Sequence, residues 1–476
     1  MQYTPTIGLE IHAELKTRTK MFCDSRNDPD EREPNVHICP VCLAHPGTLP
    51  VINKEAVHHV LRVGAAVRGV IADYTEFDRK NYFYPDIPKG YQISQYTYPL
   101  VSNGELAGVA LTRIHLEEDT ARSSHLPTHA GDRKSGTTRI DYNRAGIPLM
   151  ELVTEPVVTS AEQAGRFARE LQLLLRTLGA SDANMEKGEM RVEANISISK
   201  DKTFGTKVEV KNINSFRAVE RAIQYEVARQ IEVLESGGEI VQETRGWDEA
   251  KQRTFSQRIK EGSADYRYFP DPDLPKLMLS DIPEFREDAL IASLPELPWE
   301  KRERYQSIYG LDSESAEMLV RDRRYSEVFE ESVRELGDKN EIAQIVANYL
   351  TSDVAGLENA GKGELENSTS SFSELMKMVI EGEISSRGAK DILAKLLIGG
   401  GSARAIAEAE GLFQESDEGA LSAIIDEVIT ENQAVVDEYT GGKESALQFL
   451  IGQGMKKSKG SANPALLQKL FKEKLQ

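Results

Sequence analysis

Near the N-terminus, Ile7 to Leu15 alternate without a break: Ile7, Leu9, Ile11, Ala13 and Leu15 hold the odd positions, and Glu10, His12 and Glu14 stand among the even ones. A period of two is met by a strand with one buried face, since a helix would scatter the same apolar residues around its circumference. Such a strand turns its apolar side to a core and carries two acids and a histidine on the other. Glu10 and His12 then share a face, roughly 7 Å apart along the strand, close enough to hold one cation. A solvated strand face bearing the same residues is the plainer alternative.

The design recurs. His115-Leu-Glu-Glu-Asp119 closes another alternating stretch with three acids beside a histidine, and Glu151 follows the apolar turn Gly146 to Met150. Arg191, Glu193, Asn195 and Ser197 alternate with Val192, Ala194, Ile196 and Ile198, while Lys207, Glu209 and Lys211 alternate with Val208 and Val210. With the turn at residues 200–205 between them, these last two runs read as an antiparallel hairpin with one charged face. Acids and lysines on one sheet face suit a cleft for Mg²⁺ and phosphate together; salt bridging across a solvated sheet is the alternative. A helix is expected from about Phe216 to Glu235, with Asn214 or Ser215 as N-cap. Free N–H groups at such a start can accept a phosphate, although a merely capped helix is the commoner outcome. Residues 78–86 and Gln92 to Gln95 mix cations, aromatics and amides densely enough to suggest base stacking and phosphate contacts. No Gly-x-x-x-x-Gly-Lys-Ser/Thr occurs, so a nucleotide site here is not a P-loop.

A chain of 476 residues exceeds what one core usually supports. Its mixed pattern gives way to helix after helix beyond Pro295 and Pro298, which places a boundary there. Further breaks fall at 361–371 and near Glu410-Gly411. The last segment carries apolar stripes at Leu421 to Ile429 and Ala446 to Ile451, and Pro464 opens a final helix. Net charge is −19, so any contact with RNA has to be local. The one basic concentration is terminal: Lys456, Lys457, Lys459, Lys469, Lys472 and Lys474. A soluble lysine-rich tail is the alternative there. No run approaches the ~18 apolar residues of a membrane helix, and the first residues carry no export signal, so a cytoplasmic protein without membrane contact is expected. Cys23, Cys39 and Cys42 crowd one short stretch, a poor disulfide framework but a fair metal pattern.

Several strings together carry a resemblance: Ile7-Gly-Leu-Glu-Ile-His-Ala-Glu-Leu15, Phe77-Asp-Arg-Lys-Asn-Tyr-Phe-Tyr-Pro-Asp86, His115-Leu-Glu-Glu-Asp119, Lys207 to Phe216, Asp265-Tyr-Arg-Tyr-Phe-Pro270 and Gly452 to Gly460. In this order they closely resemble the B-subunit family of the aspartyl/glutamyl-tRNA amidotransferases, and the likeness covers essentially the whole chain. It implies an α+β fold. A cradle domain with an antiparallel sheet related to glutamine synthetase would span 1–293, an all-helical domain 294–407, and a small helical tRNA-binding tail domain 408–476. It also implies ATP-dependent amidation of mischarged Glu-tRNA(Gln) or Asp-tRNA(Asn). The implied partners are an amidase (glutaminase) subunit, which releases ammonia from glutamine, and a small third subunit of the same complex.

On that resemblance the Mg²⁺ ligands fall on Glu10, His12, Glu118 and Glu151, with Glu117 competing with Glu118. Lys80, Lys207 and Lys211 are candidates to neutralise phosphate, and Arg79, Ser94, Asn212 and Ser215 join them as candidate ATP contacts. Lys456, Lys457, Lys459, Lys469 and Lys472 are the expected tRNA contacts. The sequence offers no usual cysteine glutaminase arrangement and no Gly/Ser-rich amidase signature, so ammonia is expected from a partner. Zinc-bearing members of the family show a Cys-x-Cys knuckle, but Ser25 stands where its second cysteine would be. Zn²⁺ on Cys23, Cys39 and Cys42, with a fourth ligand from Asp24, His37, His45 or water, and a loop that has lost its metal both remain open. Two readings of other classes also stand: a non-catalytic tRNA-binding scaffold, and an amide ligase acting on a free amino acid.

Overall fold

In the computed structural model, which describes residues 3–125, 137–201, 203–259, 266–414, 418–458 and 462–475, the alternation at the N-terminus becomes the strand Thr4–Glu14. It lies at the middle of a ten-stranded sheet, between Pro148–Thr154 on one side and Met190–Ser199 on the other. Beyond Pro148–Thr154 come Val109–Glu118 and two short strands, Val101–Ser102 and Val70–Ile71; Glu105–Leu106 pairs with Val109–Glu118 off this path. Beyond Met190–Ser199 come Val208–Ile213, Glu243–Asp248 and Arg253–Ile259. Ile7, Leu9, Ile11 and Ala13 are all buried, as the period requires. Helices Ala161–Thr177 and Phe216–Glu235 pack on each other, and the second also lies on Met190–Ser199. They contribute apolar residues such as Phe167, Leu171, Val219 and Ile223 to the core, which leaves the sheet's other face polar.

The hairpin of residues 190–213 forms with antiparallel pairing. Between Val192 and Ala194 the register shifts, and the extra residue opposite is absorbed where Asn212 takes φ 64°. A bulge with asparagine in the left-handed region is a low-cost way to take up one residue. The sheet is not wholly antiparallel, however. Val208–Ile213 and Glu243–Asp248 run parallel, because helix Phe216–Glu235 carries the chain back between them. That helix starts at the expected N-cap: Ser215 Oγ accepts the N–H of Ala218 at 3.1 Å.

Compact units comprise residues 1–297 and 298–476. The named elements of the second unit among the described residues are all helices, and Pro298 opens the first, Pro298–Tyr309. Helix Ala403–Glu410 ends on Gly411 at φ 64°, where a side chain would be strained. The expected break at 361–371 is shorter than the composition suggests, since a helix already begins at Thr369. A further helix, Gln433–Thr440, precedes Gly441 in a stretch whose polar residues mask its short apolar face. At the C-terminus, Leu421, Ile425, Val428, Leu447, Leu450, Leu467 and Phe471 form one core that holds the lysine-bearing last helix, Pro464–Leu475. Among the described residues no helix is long and apolar enough to cross a membrane.

Phe471 is fully buried in that core. Truncating such a residue costs about 3–5 kcal/mol. Phe471→Ala is therefore expected to raise hydrogen exchange across residues 418–475 while exchange in the first unit stays unchanged.

Candidate active site

Register decides which polar residues meet. His12 lies opposite Glu151 on one neighbour and Arg191 on the other; Glu151 lies opposite His115, and Glu10 opposite Glu193. Directly paired residues point the same way, so Glu10, His12, Glu151, His115, Glu117, Arg191 and Glu193 line one face. His12 Nε2 sits 3.3 Å from Glu151, 3.5 Å from Glu117 and 3.9 Å from Glu10. His115 Nε2 is 3.4 Å from Glu151, and its buried Nδ1 has no hydrogen-bond partner among the described residues.

Glu118 stands apart from this group. As the next residue along an alternating strand it points to the opposite side, where its carboxylate accepts from Lys89 Nζ at 2.7 Å and Ile93 N at 2.9 Å. Glu117 takes the place beside His12, held in part by the Ser94 hydroxyl at 3.2 Å.

The charges crowd. Burial, with Glu151 and Glu193 nearby, pushes the Glu10 carboxyl up to about 7. Burial alone would lower the His12 imidazole, but its hydrogen bond to Glu151 and the surrounding carboxylates outweigh that and raise it to about 9. Glu151 is driven the other way: burial opposes its charge, yet His115 and His12 hold it well below the usual carboxylate range. A protonated imidazole thus occupies the position a cation would fill. Glu10 and Glu151 with His12, and Glu117 and Glu151 with His115, each bring ligand atoms within 4.8 Å of one another; carboxylate oxygens suit Mg²⁺ or Mn²⁺.

Two lysines flank the basin. Burial opposes the charge of Lys80, but Glu117 and Glu151 more than offset it and keep the amine above its ordinary value. Its ammonium also lies 5.2 Å from the Tyr266 ring centre. Lys211 bonds Glu193 at 2.6 Å and is likewise raised, burial being outweighed by Glu193 and Glu209.

Other expected contacts fall elsewhere. Arg79 alternates away from Lys80 and is tied to Asp271 at 2.8 Å and Asp273 at 2.9 Å, with Tyr91 stacked 4.3 Å from its guanidinium. Lys207 is exposed and precedes Val208–Ile213. Asn212 donates to the Trp247 carbonyl at 3.4 Å, and the Ser215 hydroxyl is engaged as the cap. The aromatics stack on one another rather than standing apart: Tyr96 and Tyr268 are parallel at 4.5 Å. In the tail, Lys457 pairs with Glu427 and Glu431, and Lys469 lies 4.0 Å from Glu473. Lys456 and Lys472 lie in helices Ser445–Lys457 and Pro464–Leu475, whereas Lys459 and Asp265 fall outside the described residues. His115 and Glu193 line this face without being among the residues expected there, and the period of residues 109–118 and 190–199 is the signal for both; Lys89, which nothing local marks, engages Glu118 on the other side.

Cys23, Cys39 and Cys42 do converge, with sulfurs within 4.8 Å of one another. Ser25 Oγ lies 3.7 Å from Cys42 Sγ, and buried Lys20 approaches the same sulfur at 3.9 Å. A hydrogen bond from Cys23, aided by Lys20, draws the Cys42 thiol down to about 4 against the effect of burial. His37 is not beside this trio: its Nε2 faces Asp28 and Glu31.

Residues 5–282 match the family described as "GatB/GatE catalytic domain", and residues 327–475 match the "GatB domain". A protein of a Picosynechococcus species, named as the B subunit of aspartyl/glutamyl-tRNA(Asn/Gln) amidotransferase, is 44% identical over 496 aligned positions, covering 100% of this chain and 98% of its own. The protein of the same name from Carboxydothermus hydrogenoformans is 41% identical over 487 positions, covering 100% of this chain and 99% of its own.

A cation entering the basin has to displace the His12 proton below about pH 9, and a second proton from Glu10 below about pH 7. Mn²⁺ affinity is therefore expected to rise about tenfold per pH unit between 7 and 9, and more steeply below 7, in an electron paramagnetic resonance titration. In the same titration Glu117→Gln should weaken Mn²⁺ binding much more than Lys89→Gln, which frees Glu118 without touching the basin.

Proposed function

The chain belongs to the B-subunit family of the aspartyl/glutamyl-tRNA(Asn/Gln) amidotransferases, and from that premise we propose that the acidic basin is where the side-chain carboxylate of a mischarged tRNA is activated and amidated. The reaction of the family is the tRNA-dependent amidation of Glu-tRNA(Gln) or Asp-tRNA(Asn), a carbon–nitrogen ligation with glutamine as nitrogen donor. The observation that carries the placement is the convergence of Glu10, Glu117 and Glu151 on His12 beside Lys80.

A carboxylate resists attack by ammonia because neither oxygen can leave. Transfer of the γ-phosphoryl of ATP to one oxygen supplies a leaving group, and such transfers depend mainly on positioning and charge neutralisation. Glu10, Glu117 and Glu151, with His12, would hold Mg²⁺, which would supply that neutralisation. Lys80 and Lys211, both held in the charged form, add fixed positive charge on either side. Ser94 positions Glu117 through its hydroxyl. Arg79 is assigned a positioning role, fixing the segment that contains Asp271 and Asp273 beneath Lys80. Lys207, Asn212 and Ser215 stand along the same strand and helix start, where nucleotide phosphates or ribose would extend. An acyl phosphate hydrolyses if water enters freely, so ammonia has to arrive by an enclosed path.

That ammonia comes from the amidase subunit, in a heterotrimer completed by the small third subunit, within the cytoplasm. The first unit is related to glutamine synthetase in this reading. The second divides into a helical domain at 294–407 and a tail at 408–476 whose Lys456, Lys457, Lys459, Lys469 and Lys472 contact tRNA. Cys23, Cys39 and Cys42, with Asp24, His45 or water as fourth ligand, would hold Zn²⁺ and tie down the segment between them.

Glu10→Gln in the assembled complex should lower amidation with ammonium salt at least ~100-fold while glutamine hydrolysis by the partner persists. Ammonia-dependent amidation at the unsubstituted rate would sink the placement. A chain that only scaffolds tRNA would show no tRNA-dependent ATP cleavage at all, and a ligase for free amino acids would turn over without tRNA.

A further inference from the structure

The segment between Arg26 and Cys39 carries a second set of ligating atoms with no part in amidation. His37 Nε2 lies 3.5 Å from Glu31 Oε2 and 3.9 Å from Asp28 Oδ2, and all three residues offer ligand atoms within 4.8 Å of one another. Two ligands of one tetrahedral ion, each bound at ~2.0–2.2 Å, stand about 3.3 Å apart. The two His37 separations, 3.5 and 3.9 Å, lie within about 0.6 Å of that spacing.

The imidazole nitrogen is the informative atom. His37 Nε2 is closed off from solvent and has no hydrogen-bond partner among the described residues, although it points between two carboxylates. A buried nitrogen left unsatisfied is costly, so such atoms ask for an explanation. The surroundings meanwhile fix each ligand. Asn143, itself buried, accepts from Val36 N at 2.8 Å and His37 N at 2.9 Å and donates to the Glu33 carbonyl at 2.7 Å. Each acid spends its other oxygen on the backbone: Asp28 Oδ1 accepts from Asp30 N, and Glu31 Oε1 from Glu33 N. The remaining oxygens are thereby aimed at His37, as outer hydrogen bonds aim ligands in metal sites. Among the described residues the competing cation is Arg26, 3.2 Å from Asp28 and largely exposed, hence easily displaced.

We propose that Asp28, Glu31 and His37 bind a divalent cation of the Zn²⁺ class, with water completing the coordination, and so clamp the segment that leads into the cysteine cluster. One imidazole with two carboxylates suits Zn²⁺ better than Mg²⁺, and these ligands are shared neither with the basin nor with the thiols. The assignment does not rest on the amidation reading.

The test uses the assembled complex, stripped by chelator, reloaded with Zn²⁺ and crystallised, with diffraction measured on both sides of the zinc absorption edge. An anomalous peak between His37 Nε2, Asp28 and Glu31 is expected. Peaks confined to the three cysteines or the basin, or none, would mean that His37 simply ion-pairs with its acids and would overturn the proposal. As a second measurement, Zn²⁺ content is compared between Cys23→Ser/Cys39→Ser/Cys42→Ser and the same chain with His37→Gln or Asp28→Asn added. One equivalent fewer per chain is expected, and equal content would refute the site. Amidation activity is followed in parallel, so that failure of either reading is seen separately.

Discussion

Repulsion among carboxylates on one sheet face is the interaction to which the rest of the first unit answers. Glu10, Glu117, Glu151 and Glu193 gather around His12. Two unit charges 4 Å apart interact by about 4 kcal/mol at the effective dielectric of a partly buried site. Several such pairs would exceed the ordinary margin of a fold, so positive charge has to be built in. It comes as the His12 proton and the Lys80 and Lys211 ammoniums, each kept charged by the acids it serves. The basin is thus strained toward cations before any ligand arrives. A site that binds a divalent ion and then a polyphosphate needs that property, because each arriving charge replaces one already present.

Why the acids meet at all is a matter of sheet register. Thr4–Glu14 contributes Glu10 and His12 on one face only because Ile7, Leu9 and Ile11 are locked in the core on the other. A slip of one residue would send the apolar set to solvent and the ligands inward. The same rule separates adjacent acids: Glu117 enters the basin, while Glu118 turns away to bind Lys89. Helices Ala161–Thr177 and Phe216–Glu235, by covering the apolar face, therefore position the chemistry on the other without touching it.

Much of this was legible in the chain. The alternation at residues 7–15, 191–198 and 207–211, the cap at Ser215 and the turn to helices after Pro298 all follow from local chemistry, because each is a one-segment preference. What lay beyond it depended on partners distant in sequence. Which of Glu117 and Glu118 faces His12 depends on the pairing of Val109–Glu118 with Pro148–Thr154. That Arg79 is taken up by Asp271 and Asp273, nearly two hundred residues away, has no local signal. Helix Gln433–Thr440 is too short and too polar for its period to stand out.

The charge distribution of the tail extends the same logic to a weaker regime. Lys457 is bridged by Glu427 and Glu431, and Lys474 by Asp426, all on helix Glu418–Glu431. These pairs are largely exposed and screened by solvent, so each contributes little. Exchanging such a carboxylate for a phosphate is then nearly neutral in free energy, and the gain comes from released counterions rather than from new contacts. A chain with a net charge of −19 would otherwise repel nucleic acid or, with an unpaired lysine patch, hold it indiscriminately. On the proposed reading, lysines already matched to acids avoid both extremes and let a product go.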